Sequence, residues 1–244
     1  MKYRKPQWFV ELAGPGGTAP VVYALPHAGA GAAAVKPMCR LLSDVCHPVA
    51  VRLPGRESRA SEQPITDLAD LTSQLAIHVT EHAAGRPVIL YGHCAGGAVA
   101  FETARRLTLT TPVHLVISAQ HAPDRVPVTG AWRMSREAFL EQVARDGYLP
   151  TGLLAQPELL DLVEPALRAD YEAVESYPRS LATIDTPIMG LLGDDDQTVT
   201  VDDITGWQRY TTAGFQLRVL SGGHNLLLDE TVQVAAALRQ MITG

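Results

Sequence analysis

One stretch constrains this chain more than any other: Val88-Ile89-Leu90-Tyr91-Gly92-His93-Cys94-Ala95-Gly96-Gly97. Four apolar residues read as a buried strand, Gly-x-Cys-x-Gly follows, and 98–107 reads as a helix. Strand, very sharp turn and helix are the layout of a nucleophile elbow. In such a turn the central residue takes a strained backbone conformation. Strand and helix then pass so close that only glycine fits two positions before it and two after. The central residue here is Cys94. A thiol at a helix N-terminus sits at the positive end of the helix dipole, which favours its thiolate. The competing reading of the same letters is a glycine-rich turn around an inert buried cysteine.

The rest of the chain has a strand–helix rhythm. Apolar runs at 21–25, 47–53, 113–118, 188–192 and 215–220 read as strands, the last alternating as Phe215, Leu217 and Val219. Helical patterns fall at 33–42, 66–83, 202–210 and 231–242. Helix 66–83 is capped by Thr66 or Asp67 and repeats Leu68, Leu71, Leu75 and Val79 at helical spacing. It also spells His78-Val79-Thr80-Glu81-His82, an H-x-x-E-H pattern of some zinc peptidases. No third ligand has an evident source, so it reads as a polar helix face and no metal is expected. This pace predicts βαβ units and a mostly parallel α/β sheet flanked by helices.

The rhythm breaks between His121 and Arg179, where no strand pattern occurs. Helices are expected at 135–145, capped by Ser135, and at 158–177, interrupted or restarted at Pro165. The expectation is one domain over 1–244, with a core of 1–120 and 180–244 and a helical lid with mobile edges at about 121–179. Phe139, Leu140, Leu153, Leu154, Leu159 and Leu160 of this insertion either line a substrate channel or pack on the core, and packing is favoured.

Composition narrows the function classes. A chain of 244 residues is long enough for one sizeable core, and 46% apolar with 19% charged residues argues against disorder. The net charge of -6 argues against a nucleic-acid surface. No apolar run approaches the roughly 18 residues of a membrane span. Residues 1–9 are basic without the apolar stretch of a signal peptide. Cys39, Cys46 and Cys94 lack paired spacing, which fits a reducing cytoplasm, and the first two read as small apolar residues.

The chemistry-bearing residues come in the order nucleophile, acid, histidine, each just past a predicted strand: Cys94, Asp196 and His224. That order is expected of an α/β-hydrolase fold, in which the carboxylate orients the imidazole and the imidazole serves the nucleophile. Of three adjacent aspartates, Asp196 has the Gly193-x-x-Asp196-x-x-Val199 spacing of an acid loop. Asp194 and Asp195 read as turn residues. The oxyanion hole is assigned to the backbone N–H groups of Ala95 and Ala28, the latter in the loop Pro26-His27-Ala28-Gly29-Ala30-Gly31. That loop lacks the Gly-Lys-Ser/Thr ending of a phosphate loop.

Several segments together resemble one family, the type II thioesterases that accompany polyketide synthases and nonribosomal peptide synthetases. Leu25-Pro26-His27-Ala28-Gly29-Ala30 is similar to the family's F-P-x-A-G-G loop, and Leu53-Pro54-Gly55-Arg56 matches its L-P-G-R segment. Gly92-His93-Cys94-Ala95-Gly96 stands where the family has G-H-S-M-G. Phe101-Glu102, Arg105-Arg106-Leu107, Leu167-Arg168-Ala169-Asp170, Trp207 with Thr211, and Arg218-Val219 with Gly222-Gly223-His224 extend the likeness over nearly the whole chain.

The resemblance implies hydrolysis of acyl groups from the phosphopantetheine arm of an acyl or peptidyl carrier protein. It implies a cytoplasmic monomer with no cofactor of its own and no nucleic-acid or membrane partner. His27, beside the oxyanion loop, is a candidate substrate-binding residue or a loop-packing one, and His93 reads as packing. Arg52, Arg56 and Arg59 either meet an acidic carrier protein or stand solvated. Cysteine replaces the family's serine, and Ala95 its methionine. Three functions stay open: a thioesterase working through acyl-Cys94, an acyl or aminoacyl transferase or cyclase using the same intermediate, and a non-catalytic carrier-binding module. Cys94 is either native or an engineered replacement of serine.

Overall fold

The computed structural model describes residues 7–146, 156–178 and 182–244. Its strands are β1 (Phe9–Glu11), β2 (Val21–Leu25), β3 (His47–Val51), β4 (Val88–His93), β5 (Val113–Ser118), β6 (Ile188–Gly193) and β7 (Phe215–Leu220). Its helices are α1 (Lys36–Leu41), α2 (Leu68–Ala83), α3 (Ala95–Ala104), α4 (Arg136–Arg145), α5 (Pro157–Ser176), α6 (Val201–Thr205), α7 (Leu226–Asp229) and α8 (Thr231–Thr243). All residues of β2, β4 and β6 are buried. Strands buried on both faces are what a parallel sheet covered by helices on each side requires.

The strands lie in the order β1-β3-β2-β4-β5-β6-β7. Every pairing is parallel except that of β1, whose Phe9 stands opposite Val51 of β3 in antiparallel register. The mostly parallel α/β sheet expected from the sequence is thus present. Strand β1 has no counterpart in the sequence reading, because three residues are too few to show a period.

Alternation along β2 separates the two cores. Val21, Tyr23 and Leu25 face a cluster with Leu71, Leu75 and Val79 of α2, Phe101 of α3 and Trp207. Val22 and Ala24 face the other side, with Met38 and Cys39 of α1 and Val234 and Leu238 of α8. Cys39 and Cys46 sit fully buried in this second cluster, where burial pushes both thiols up to about 12. They behave as apolar side chains, as the sequence suggested.

Helix α2 starts after Asp67, whose carboxylate accepts the Asp70 N–H at 2.8 Å. The two histidines of its H-x-x-E-H run serve packing, while Glu81 is exposed. Tyr23 Oη lies 2.7 Å from His82 Nδ1, His82 Nε2 lies 3.3 Å from Glu11, and His78 stacks near Trp8. Among the described residues no group of three His, Cys, Asp or Glu side chains is placed to hold a metal.

Five expectations need correction. Helix α3 begins at Ala95, not at residue 98, because Gly96 and Gly97 form its first turn. Their low helix propensity hides a close approach that only tertiary contact demands. Helix α5 runs unbroken through Pro165, with buried Leu160 before it and buried Ala166 and Leu167 after it holding both halves to their neighbours. The 202–210 segment divides into α6 and a 3-10 turn at Gly206–Tyr210, and the 33–42 segment into a 3-10 turn at Ala32–Ala34 and α1. Val219 is 52% exposed, so the inward alternation of β7 stops at Leu217.

Helices α4 and α5 stand between β5 and β6, where the sequence shows no strand. Leu153 and Leu154 of the expected lid lie outside the described residues, as do 147–155 and 179–181.

A Cβ built on Gly96 falls 2.4 Å from the carbonyl oxygen of Pro26, and one on Gly92 falls 2.1 Å from that of Gly96. Backbone cannot yield as a side-chain tip does. Gly96→Ala is therefore expected to lose roughly 3 kcal/mol of stability. Gly16→Ala, at a position with nothing within 4 Å, should change it by less than about 0.5 kcal/mol. Urea unfolding of the two variants beside the wild type checks the contrast.

Candidate active site

The C-terminal end of β4 delivers Cys94 into a turn with φ 51° and ψ -129°. Positive φ is strained for any residue with a Cβ. The turn is pinned on both sides, since Cys94 N–H donates to Ser118 O at 2.8 Å and Gly97 N–H donates to Cys94 O at 2.7 Å. The sulfur-bearing residue is 3% exposed and directly precedes the first turn of α3.

The loops after β6 and β7 are stitched together. A Cβ on Gly193 would meet Gly222 O at 2.2 Å. Asp194 N–H donates to Leu220 O at 2.8 Å, and Asp195 N–H donates to Gly222 O at 3.0 Å. The Asp194 carboxylate accepts the Gly222 N–H at 2.9 Å. Asp194 therefore holds the histidine loop, a more specific task than the turn role read from sequence. Asp196 turns the other way. Its Oδ1 accepts the N–H groups of Thr198 at 2.8 Å and Val199 at 2.9 Å, and its Oδ2 lies 3.0 Å from His224 Nδ1. Cys94 is near enough to His224 to raise its imidazole together with Asp196.

Burial opposes charge on His224. The hydrogen bond that His224 donates to the Asp196 carboxylate, and the influence of Cys94 and of the Asp196 charge, outweigh it, so the imidazole is pushed up to about 10. Burial likewise opposes the Asp196 carboxylate, but the His224 hydrogen bond and charge and the Val199 and Thr198 amides hold it below the usual range. The neighbouring imidazoles go the other way. Burial, then the charge of His224, brings His27 down to about 4 and His93 well below its ordinary value. His93 Nδ1 lies 3.0 Å from Ser118 Oγ, and its ring centroid is 5.7 Å from that of His224. At neutral pH the one imidazolium of this group is the one between carboxylate and sulfur.

A cavity of about 110 Å³ opens over Cys94. Ala28 and Ala95 are on its wall beside the sulfur. The Ala95 N–H is one of those a helix leaves without an intrahelical acceptor. His27 is not on that wall; its buried ring faces His93 at 6.3 Å. Gln120 and His121, Val126 and Pro127 after β5, and Tyr171 and Val174 of α5 complete much of the lining. None of these was singled out by sequence. The spacing of Tyr171 and Val174 on one helix face is the only signal they carry. Phe139 packs inside the helical insertion against Tyr171, while Leu159 is 42% exposed.

The three arginines turn inward. Arg52 pairs with Glu57 at 2.8 Å, and Arg59 pairs with Glu62 and lies 4.3 Å over the Trp8 ring. Arg56 is bound to Asp170. Each is held by a carboxylate of this chain, so none stands as a freely solvated charge. The pairing carboxylates, distant in sequence or flanking, were invisible to a reading of composition.

The thioesterase domain family model matches residues 20–242. The thioesterase PikA5 of Streptomyces venezuelae is 33% identical over 210 residues, 84% of this chain and 75% of that protein. The type II thioesterase BorB from the borrelidin biosynthetic cluster superposes with a TM-score of 0.86 at 32% identity, covering 96% of this chain and 97% of that one. ClbQ from the colibactin NRPS/PKS pathway superposes with a TM-score of 0.85 at 25% identity, covering 92% and 97%.

The sign of the His224 shift gives a pH dependence. A folded value of about 10 against an ordinary 6.5 means stabilisation that is complete below pH 6.5 and lost as pH rises through about 10. The stability difference between wild type and His224→Gln should therefore shrink across that window. Imidazole NMR should place the His224 titration far above its ordinary value in the wild type and lower in both Asp196→Asn and Cys94→Ala. A wild-type titration at the ordinary value would remove the charged pair.

Proposed function

The chain belongs to the thioesterase domain family, and from that premise we propose that it hydrolyses acyl thioesters on the phosphopantetheine arm of acyl or peptidyl carrier proteins through an acyl-Cys94 intermediate. The reaction needs one copy of the chain and no cofactor. The observation that carries this reading is Cys94 in the elbow, on one cavity wall with Ala28 and Ala95 and near the His224 that Asp196 holds. The colibactin NRPS/PKS pathway of ClbQ and the borrelidin biosynthetic cluster of BorB support the setting in polyketide or nonribosomal peptide assembly.

The Cys94 sulfur attacks the thioester carbonyl, and negative charge moves onto the carbonyl oxygen. The Ala28 and Ala95 N–H groups receive that charge, each donor contributing about 3 kcal/mol to the transition state. Collapse forms the acyl-Cys94 bond and breaks the carbon–sulfur bond to pantetheine, whose sulfur takes the proton of the His224 imidazolium. His224, now neutral and oriented by Asp196, accepts a proton from water as that water attacks the acyl-enzyme. The carboxylic acid leaves and the thiolate–imidazolium pair returns.

Sulfur alters the energetics of the middle state. An acyl-Cys94 is itself a thioester, so its formation from a pantetheine thioester is nearly balanced and hydrolysis supplies the drive. The same balance lets a thiol, amine or carbon nucleophile compete with water, which is why the product, not only the intermediate, has to be measured.

Intact-protein mass spectrometry with an acyl-loaded carrier protein tests both. The wild type is expected to gain the acyl mass and release free acid; Cys94→Ala should gain nothing. Asp196→Asn should lower turnover by roughly 10³–10⁴-fold. Asp194→Asn, which keeps an oxygen for the Gly222 N–H, and Asp195→Asn should change it little. Acyl mass on Cys94→Ala would defeat the nucleophile assignment. Transfer of the wild type's acyl group to a second carrier, without free acid, would replace hydrolysis by transfer.

A further inference from the structure

Asp170 of α5 lies far in sequence from the oxyanion loop yet grips it. Its Oδ2 accepts the Gly29 N–H at 2.7 Å. Arg56 holds the same carboxylate with two hydrogen bonds of 2.9 Å, one to each oxygen. The Arg56 Nη1 also donates to Ala30 O at 3.1 Å. The loop closes on itself as Ala30 N–H donates to His27 O at 3.2 Å. The peptide groups on both sides of Ala28 are thus tied down. Ala28 itself packs with Leu167, Tyr171 and Phe139 of the helical insertion. Gly29, at φ 72°, would place a Cβ 2.9 Å from Leu167 Cβ, one turn before Asp170 on the same face of α5.

The pair is nearly buried, with side-chain exposures of 7% and 9%. A buried ion pair is a poor source of net stability, and an apolar pair of similar volume holds elements together as well. What an apolar pair lacks is an acceptor for Gly29 N–H and a donor for Ala30 O. The arrangement is explained by orientation.

We infer that Asp170 and Arg56 are positioning residues that couple the seating of α5 to the oxyanion hole, by fixing the loop that carries the Ala28 N–H beside Cys94. This rests on the acyl-Cys94 reading proposed above. Ala28 is the donor that meets the acyl oxygen; Asp170 and Arg56 act through it. Helix α5 therefore does more than wall the cavity. When its face lifts from the loop, the amide loses its aim and acylation slows, although sulfur and imidazole stay in place.

The test separates two reactions of the same sulfur. Alkylation of Cys94 by iodoacetamide develops no oxyanion, whereas acylation by a thioester does. The double variant Arg56→Met with Asp170→Leu removes the clamp without leaving a buried charge unpaired, and Asp170→Asn supplies a milder lesion. Acylation is followed by mass spectrometry with acetyl and hexanoyl thioesters of N-acetylcysteamine, and alkylation in parallel. The double variant is expected to lose on the order of 10²-fold in acylation rate and kcat. Its KM and alkylation rate should stay within about twofold of wild type, and Asp170→Asn should fall between. Acylation at the wild-type rate overturns the clamp, and so does an equal loss of acylation and alkylation, which marks a merely structural tie. A wild-type protein that alkylates yet never acquires acyl mass overturns the function reading, and this inference with it.

Discussion

The backbone crossing at the elbow is the constraint on which the rest depends. At Gly92 and Gly96 the first turn of α3 lies against β4 and the end of β2 with no room for a methyl group. That approach goes with the positive φ of Cys94 and brings the loop that continues from β2, with Ala28, to the same cavity wall as Cys94. Strain at Cys94 is held by the Ser118 and Gly97 hydrogen bonds rather than relieved.

Around that crossing the charges are arranged by burial as much as by pairing. His27, His93 and His224 are all nearly or fully buried, yet only His224 has a carboxylate in direct contact. Its neighbours are kept neutral by desolvation and by its own charge. One proton thus has one address, between Asp196 and Cys94. The stitching of the Asp196 loop to the His224 loop through Gly193, Asp194 and Gly222 keeps that address from drifting. Asp194 contributes to the geometry without touching the reacting atoms.

The helical insertion joins the site from the opposite side. Tyr171 and Val174 wall the cavity, and Asp170 reaches past them to Gly29. Leu167 and Phe139 pack on Ala28 from the same cluster. A segment whose described residues form helices and no strand therefore shares in shaping the cavity and the loop that carries Ala28. On the proposed acyl-Cys94 route, where acyl exchange is nearly balanced, the aim of the Ala28 amide bears directly on how fast the intermediate forms.

Much of this was legible in one dimension. Runs such as 21–25 and 88–91 announce buried parallel strands because both faces must be apolar. Gly92-x-Cys94-x-Gly96 announces the elbow because a close crossing admits nothing larger, and the order Cys94, Asp196, His224 follows the order of the strands that end beside one another. Local pattern alone determined those. Other features had no local signal. Strand β1 is too short to be periodic, the start of α3 at Ala95 depends on what lies across from Gly96, and Pro165 is tolerated because buried residues on both sides hold the helix. Arg56 looked like a surface charge until Asp170, 114 positions away, closed on it. A sequence records which groups a chain carries and the period at which it places them. Which buried charge meets which partner is decided only when distant segments pack, because burial makes an unpaired charge too costly to leave and the fold must bring its partner to it.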